Sequence, residues 1–308
     1  MARLYHVRGL RQSEIAERLH ISQSRVSRLL SQAEAAGVVR TIVVLPTGLH
    51  SDLEDDLEQR FGLREAHVVE AVADDEDELA RDLGHVASSV LAANPLRATT
   101  VGYTSWSRTL RHCVEALAPG GSHAERVVEL LGDLGSPALQ HEAAQSTEHL
   151  AHLLGATPLY LRTPGVLLDA GTRAALLDHN AHAQRSLSAM DDLDVALVGI
   201  GPARTAPPLG GDTFFTDEQF ARARELGAVG EVCLRFLDAD GHVLSTPFDD
   251  LVVGVTAEQL ASAGTRFAVA GGQGKHAAIL AALRGRWVDV LVTDTGTAEA
   301  LLAAGPPA

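Results

Sequence analysis

One lysine stands in this chain of 308 residues, inside the stretch AVAGGQGKHAAI (268–279); the other 24 Lys/Arg residues are arginine. The stretch reads as a strand, a Gly-rich turn and a helix start. Such a turn aims backbone N–H groups at an anion, with the helix N-terminus behind them. Lys275 adds an ammonium there, a point charge suited to a phosphate. In this reading Gly271, Gly272 and Lys275 hold the anion. The alternative is a plain strand-to-helix turn whose glycines serve tight packing, because a lone Gly-rich turn is a weak motif.

A second turn of the same kind lies in TVGYTSWSRTL (100–110). Thr104, Ser105 and Ser107 offer hydroxyls and N–H groups to a phosphate, and Trp106 either stacks on a sugar face or fills the core. Gly turns recur at GIGP (199–202) and GAVGE (227–231), where Glu231 either hydrogen-bonds sugar hydroxyls or opens a surface strand. No metal site is expected. His149/His152 and His179/His182 have helical i,i+3 spacing without Cys or carboxylate companions, which reads as solvated helix face. Asp191, Asp192 and Asp194 cap or solvate the turn before a strand. With no nucleophile elbow and no CxxC, no catalytic residue is assigned and no cofactor is expected.

A different chemistry occupies the N-terminus. RQSEIAERL (11–19) places Ile15, Ala16 and Leu19 on one helical face with Ser13 as N-cap; a tight turn follows at His20–Ile21. Ser22 then caps a second helix with Val26, Leu29, Leu30 and Ala33 on its apolar face and Gly37 as its stop. That helix carries Gln23, Ser24, Arg25, Ser27 and Arg28, which suit a DNA major groove: Gln and Arg pair with adenine and guanine edges, and Ser contacts phosphates. A β-branched run, VVRTIVVL (38–45), reads as a strand or small wing that Pro46–Thr47–Gly48 ends.

These groups need elements to hold them. From about residue 64 strands are expected at 66–72, 98–103, 126–131, 156–161, 193–200, 230–237, 265–270 and 288–293, with helices between most of them. Unbroken apolar strands such as VALVGIG imply a parallel sheet covered on both faces, so the fold class is α/β: a helix-turn-helix followed by a doubly wound domain with ligands beyond the strand C-termini. The expected division is 1–48 for the DNA-binding unit, 49–63 for an amphipathic connector helix (Leu53, Leu57, Phe61) and 64–308 for the α/β effector domain. GPARTAPPLGG (201–211) reads as a mobile loop at the rim of the site.

Charge supports that division. The chain is net −15, yet residues 1–48 hold seven arginines against three acids, which leaves −19 on the remainder. A basic head on an acidic body is the electrostatic profile of a DNA-binding module joined to a non-binding domain. The start of the chain lacks an apolar signal segment and no apolar run reaches roughly 18 residues. Cys113 and Cys233 read as buried thiols in a reducing compartment, so the expectation is a cytoplasmic protein with no membrane partner.

Together RQSEIAERLHISQSRVSRLL, the TVGYTSWSRTL turn, DVALVGIG, GAVGEVCLRFLDADG and AVAGGQGKHAAILAALRGRWVDVLVTD resemble the SorC family of sugar-responsive bacterial regulators over nearly the whole chain. The resemblance implies a winged or simple helix-turn-helix reading operator DNA. It also implies an effector domain related to sugar-phosphate isomerases and deaminases, assembly as homodimers or homotetramers, and a phosphorylated sugar or polyol as effector. By position it puts the phosphate among Gly102, Tyr103, Thr104, Ser105, Trp106 and Ser107 and along Gly271–Lys275, with the sugar toward Asp169 and Glu231. At Ser107 the family often has Gly. The rival expectation is a sugar-phosphate isomerase or deaminase, against which the basic helix-turn-helix speaks, since an enzyme has no use for it.

Overall fold

The computed structural model describes residues 1–2, 4–5, 10–35, 50–70, 75–205, 209 and 214–304. The chain divides into two compact units, Met1–Val44 and Leu45–Ala308. The strand or wing expected at 38–45 and its stop at 46–48 lie outside the described residues, as does Gly37.

In the small unit α1 (Gln12–Leu19) and α2 (Gln23–Ala35) form the expected pair. Helix α1 begins two residues earlier than a Ser13 cap would allow: Arg11 is at the N-cap, and its backbone N–H donates to Glu14 Oε2 at 2.7 Å. His20 turns the chain with φ 53°, and Ser22 Oγ accepts the Arg25 N–H at 3.3 Å at the head of α2. Ile15, Ala16, Val26 and Leu30 form the core, with Met1, Leu4, Leu10 and Ile21 against it. Leu19 and Leu29, expected on the buried faces, are exposed, because so small a core is filled by one residue per turn from each helix.

The large unit is built on a seven-stranded sheet of β1 (Glu65–Val69), β2 (Arg97–Tyr103), β3 (His123–Glu129), β4 (Thr157–Leu159), β5 (Val195–Val198), β9 (Thr265–Val269) and β10 (Val290–Asp294). All pairings are parallel and the order is β1-β10-β9-β5-β2-β3-β4. Apolar residues on both faces of these strands demand two layers of cover. One layer holds α4 (Glu76–Ala93), α5 (Arg108–Ala116) and α6 (Pro137–Leu154), which bring Leu83, Val90, Leu110 and Leu150 onto the sheet. The other holds α3 (Ser51–Phe61), α11 (His276–Arg284) and α12 (Thr295–Ala303). Helix α3, the expected connector, packs on β1 and α12 with Leu57 fully buried, so it is a structural part of this unit.

The remaining helices are α7 (Ala170–Asp178), α8 (Ala181–Ser188), α9 (Asp217–Glu225) and α10 (Ala257–Ser262). The run expected as one strand at 230–237 is instead a hairpin, β7 (Gly230–Val232) and β8 (Arg235–Leu237), joined antiparallel to β6 (Gly201–Pro202) in a separate three-stranded sheet. Its two turn residues, Cys233 and Leu234, both have positive φ, 52° and 60°. The chain moves outward from β2 to β3 and β4, returns beside β2 as β5, and then runs the other way through β9 and β10. Strands β2 and β5 therefore flank the topological switch point, where the loops diverge and leave a crevice.

Candidate functional site

A cavity of about 180 Å³ opens at that switch point, beyond the C-terminal ends of β2 and β5. Thr104, Trp106 and Ser107 enter it from the β2–α5 turn, and Gly199, Ile200 and Gly201 from the end of β5. The β7–β8 hairpin contributes Glu231, Cys233 and Leu234, and the Gly-rich turn contributes Lys275. Three of the four chain segments singled out for Gly turns thus converge on one crevice with the fourth, the β9–α11 turn.

Local structure explains why each group is held. Ser107 is the N-cap of α5, accepting the Leu110 N–H at 3.3 Å. Glu231 Oε2 accepts the Leu234 N–H at 2.7 Å, and so braces a turn that carries two non-glycine residues in the left-handed region. Its other oxygen lies so close to Gly201 that a Cβ at 201 would stand 2.0 Å from it, so a larger residue there displaces the Glu231 carboxylate. Lys275 ends a short 3-10 turn, Gln273–Lys275, at the head of α11. Burial holds its ammonium pKa below the usual lysine value, partly opposed by the Glu231 carboxylate. Burial likewise raises the Glu231 pKa, opposed by the Leu234 N–H and by Lys275. The two attract without forming an ion pair, so Lys275 keeps its donors for another group.

Arg204 stands beside it: its guanidinium lies 3.1 Å from where a Cβ on Gly274 would sit. Neither Arg204 nor Lys275 has an ion-pair partner among the described residues, whereas the other cations at this cavity are engaged. Arg108 pairs with Asp77, and Arg111 donates to the carbonyls of Ser105 and Trp106 with Glu142 at 3.8 Å. Two cations without an ion-pair partner among the described residues, at a Gly-rich helix start with hydroxyls and a carboxylate opposite, can bind a phosphate at one end and hydroxyl groups beyond it. Trp106 Nε1, buried and without a hydrogen-bond partner among the described residues, is a donor still to be matched.

Residues 46–303 match the family model of a sugar-binding domain, Sugar-bind, and residues 3–35 match sigma-70 region 4, a helix-turn-helix. The chain is 31% identical over 301 residues to the deoxyribonucleoside regulator of Bacillus subtilis strain 168, covering 98% of this chain and 95% of that protein. It is 29% identical over 311 residues to the sorbitol operon regulator of Klebsiella pneumoniae, covering 98% and 96%. The crystal structure of that full-length regulator, SorC, superimposes with a TM-score of 0.76 at 28% identity, over 98% of this chain and 96% of the other.

The chain belongs to the SorC family of sugar-binding transcriptional regulators.

Within this SorC-family fold the sequence-expected residues separate. Thr104, Trp106, Ser107, Glu231 and Lys275 line the cavity. Gly102 does not; it lets β2 pass Leu130, whose Cδ2 would be 2.6 Å from a Cβ there. Tyr103 is fully buried on the opposite face, with its hydroxyl 2.7 Å from Ser146 Oγ. Ser105 is buried behind the turn. Asp169 caps α7, accepting from the backbone and hydroxyl of Thr172, bonds that hold its carboxyl below the usual range. Gly271 and Gly272 serve packing: the Gly272 N–H donates to Asp294 Oδ2 at 2.7 Å, and a Cβ on Gly271 would lie 2.2 Å from that same oxygen. Arg204, inside the Pro/Gly-rich rim, is a further lining residue; its signal in the sequence is an arginine three residues after a Gly turn that ends a buried strand.

In the small unit Gln23, Ser24, Arg25, Ser27 and Arg28 are all exposed on α2. Arg25 and Arg28 have no ion-pair partner among the described residues, which leaves both guanidinium groups open to a ligand.

Of the acids before β5, Asp194 accepts the N–H groups of Thr99 and Thr100, and Asp191 accepts from Gln259. No helix among the described residues is long and apolar enough to cross a membrane.

Proposed function

We propose that this regulator controls a carbohydrate or polyol catabolic operon in the cytoplasm, by binding operator DNA through α2 and a phosphorylated sugar or polyol through the switch-point cavity, without turnover. The observation that carries the effector half is the pair of cations, Lys275 and Arg204, that stand at the head of α11 without an ion-pair partner among the described residues. The exposed row of Gln23, Arg25 and Arg28 carries the DNA half. The working form is a homodimer or homotetramer, because two heads must meet half-sites one or more helical turns apart. A ligand shifts DNA affinity only by its differential affinity for two states of such an assembly.

The test is a thermal-shift screen of the full chain over phosphorylated and unphosphorylated sugars and polyols. Each hit is then carried into a gel shift with the promoter of the chain's own operon and into a turnover assay. A ligand at 100 times its dissociation constant adds about 2.7 kcal/mol. Phosphate-dependent stabilisation that alters the gel shift without product formation is the expected result. Turnover of the hit, or stabilisation indifferent to the phosphate, would contradict it.

A further inference from the structure

One helix of the large unit is fixed in place without being packed into the core. Among the described residues α7 is the only α-helix of that unit with no buried residue. Leu168, just before it, is 90% exposed, whereas no other large apolar side chain described exceeds 41%. Ala170, Ala174 and Ala175 are exposed beside it. Hydrogen bonds nevertheless hold the segment. The Leu167 N–H donates to the Leu251 carbonyl at 2.9 Å, Val166 bridges Val252, and Arg173 Nε donates to the Val252 carbonyl at 2.9 Å. The same strap continues to the wall of the cavity. The Gly165 N–H donates to the Asp133 carbonyl at 2.8 Å and the Gly132 N–H to the Val253 carbonyl at 2.9 Å, between the lining residues Leu131 and Leu134. A leucine presented to water on a rigid segment with apolar neighbours marks an interaction surface.

We infer that α7 and Leu168 form the surface through which two copies of this chain associate. The inference rests on the working form being an assembly, and deepens that reading by naming the surface. Charge decides the occupant. A two-fold contact sets a patch against its own copy, so uncompensated charges there meet like charges. Residues 49–308 carry −19, yet residues 164–177, PGVLLDAGTRAALL, hold one acid and one base. Both are engaged within their own unit: Asp169 accepts the N–H and hydroxyl of Thr172, and Arg173 holds the Val252 carbonyl. Nucleic acid finds no cation here but Arg173. A basic partner finds far more acid at the head of α4, where Asp75, Glu76, Asp77 and Glu78 follow one another. What fits is an equally uncharged apolar patch, and a second copy brings one.

The experiment is sedimentation of the full chain across a dilution series, wild type against Leu168→Glu. The Leu168 side chain packs against almost nothing in its own unit, so the fold should survive. Far-ultraviolet circular dichroism and the melting temperature check this, and Leu168→Ser replaces a variant that does not fold. Because a two-fold contact meets each change twice, one association step, dimer from monomers or tetramer from dimers, should weaken at least tenfold. Ala174→Glu, on the exposed side of α7, should act in the same direction. A folded Leu168 variant that associates within tenfold of the wild type would overturn the inference while the assembly reading stands. A wild-type chain that stays monomeric, with and without operator DNA, would remove the assembly reading and this inference with it.

Discussion

Lys275 and Glu231 share a crevice that withholds water from both charges, and their opposite shifts have opposite consequences for stability. The folded-state pKa of Glu231 lies above its ordinary 4.5, so the folded state holds that proton longer than the unfolded chain does. Its contribution is present at low pH and is lost as pH rises through the raised value. The folded-state pKa of Lys275 lies below 10.5, so the unfolded chain binds more protons there and stability rises with pH through that alkaline window. Glu231→Gln keeps an oxygen for the Leu234 N–H but cannot ionise. Its melting temperature should fall less than that of the wild type between pH 4.5 and neutrality; an identical pH profile would mean that Glu231 is not the buried titrating group. Lys275→Ala should weaken effector binding by about tenfold to a hundredfold in calorimetry, the worth of a charge contact of roughly 1.5–3 kcal/mol. Lys275→Arg should restore only part of this, since the Arg204 guanidinium already occupies the space beside Gly274.

At the scale of elements, Asp294 ties the site to the sheet. It ends β10, caps α12 through the Thr297 N–H at 2.8 Å, and takes the Gly272 N–H at 2.7 Å, so one buried carboxylate fixes the Gly-rich turn against the neighbouring strand. Asp294→Asn presents an NH₂ where an acceptor is needed and should destabilise by about 1–3 kcal/mol in urea unfolding, with a weaker effector response. A stability loss with intact effector affinity would show that the turn holds its shape without this tie. The strand-and-turn pattern was legible because parallel strands are apolar on both faces and Gly-rich turns follow them; seven of the expected strands form the sheet near their expected bounds. The hairpin at 230–237 was not legible. A two-residue turn with both φ positive normally advertises itself with Asn or Gly, and here Cys233 and Leu234 are held there by Glu231 and by burial. The same limit applied to the site. Periodicity could say that Gly271 and Gly272 sit at a turn, but not that the Gly272 N–H points back at Asp294, because that bond comes from a strand 22 residues away.

On the scale of the whole molecule, charge is partitioned with function. Residues 1–48 carry +4 and the rest −19, so the acidic body repels a duplex and restricts contact to the head. Two kinds of variant should therefore separate cleanly in one gel-shift series. Arg25→Ala and Arg28→Ala, on the exposed face of α2, should each lower operator affinity by about 1–3 kcal/mol when the side chain reads a base edge. A variant that loses only a phosphate contact should instead weaken all sequences alike and flatten the salt dependence by about one unit of slope. Lys275→Ala, in the acidic unit, should bind operator as the wild type does without effector and yet respond poorly when effector is added. Because coupling between two ligands is reciprocal, operator DNA should shift effector affinity in the wild type by the same factor that effector shifts operator affinity. Calorimetry of effector binding with and without operator measures that factor. If operator affinity falls in Lys275→Ala without effector, the separation of a DNA-reading head from an effector-reading body fails.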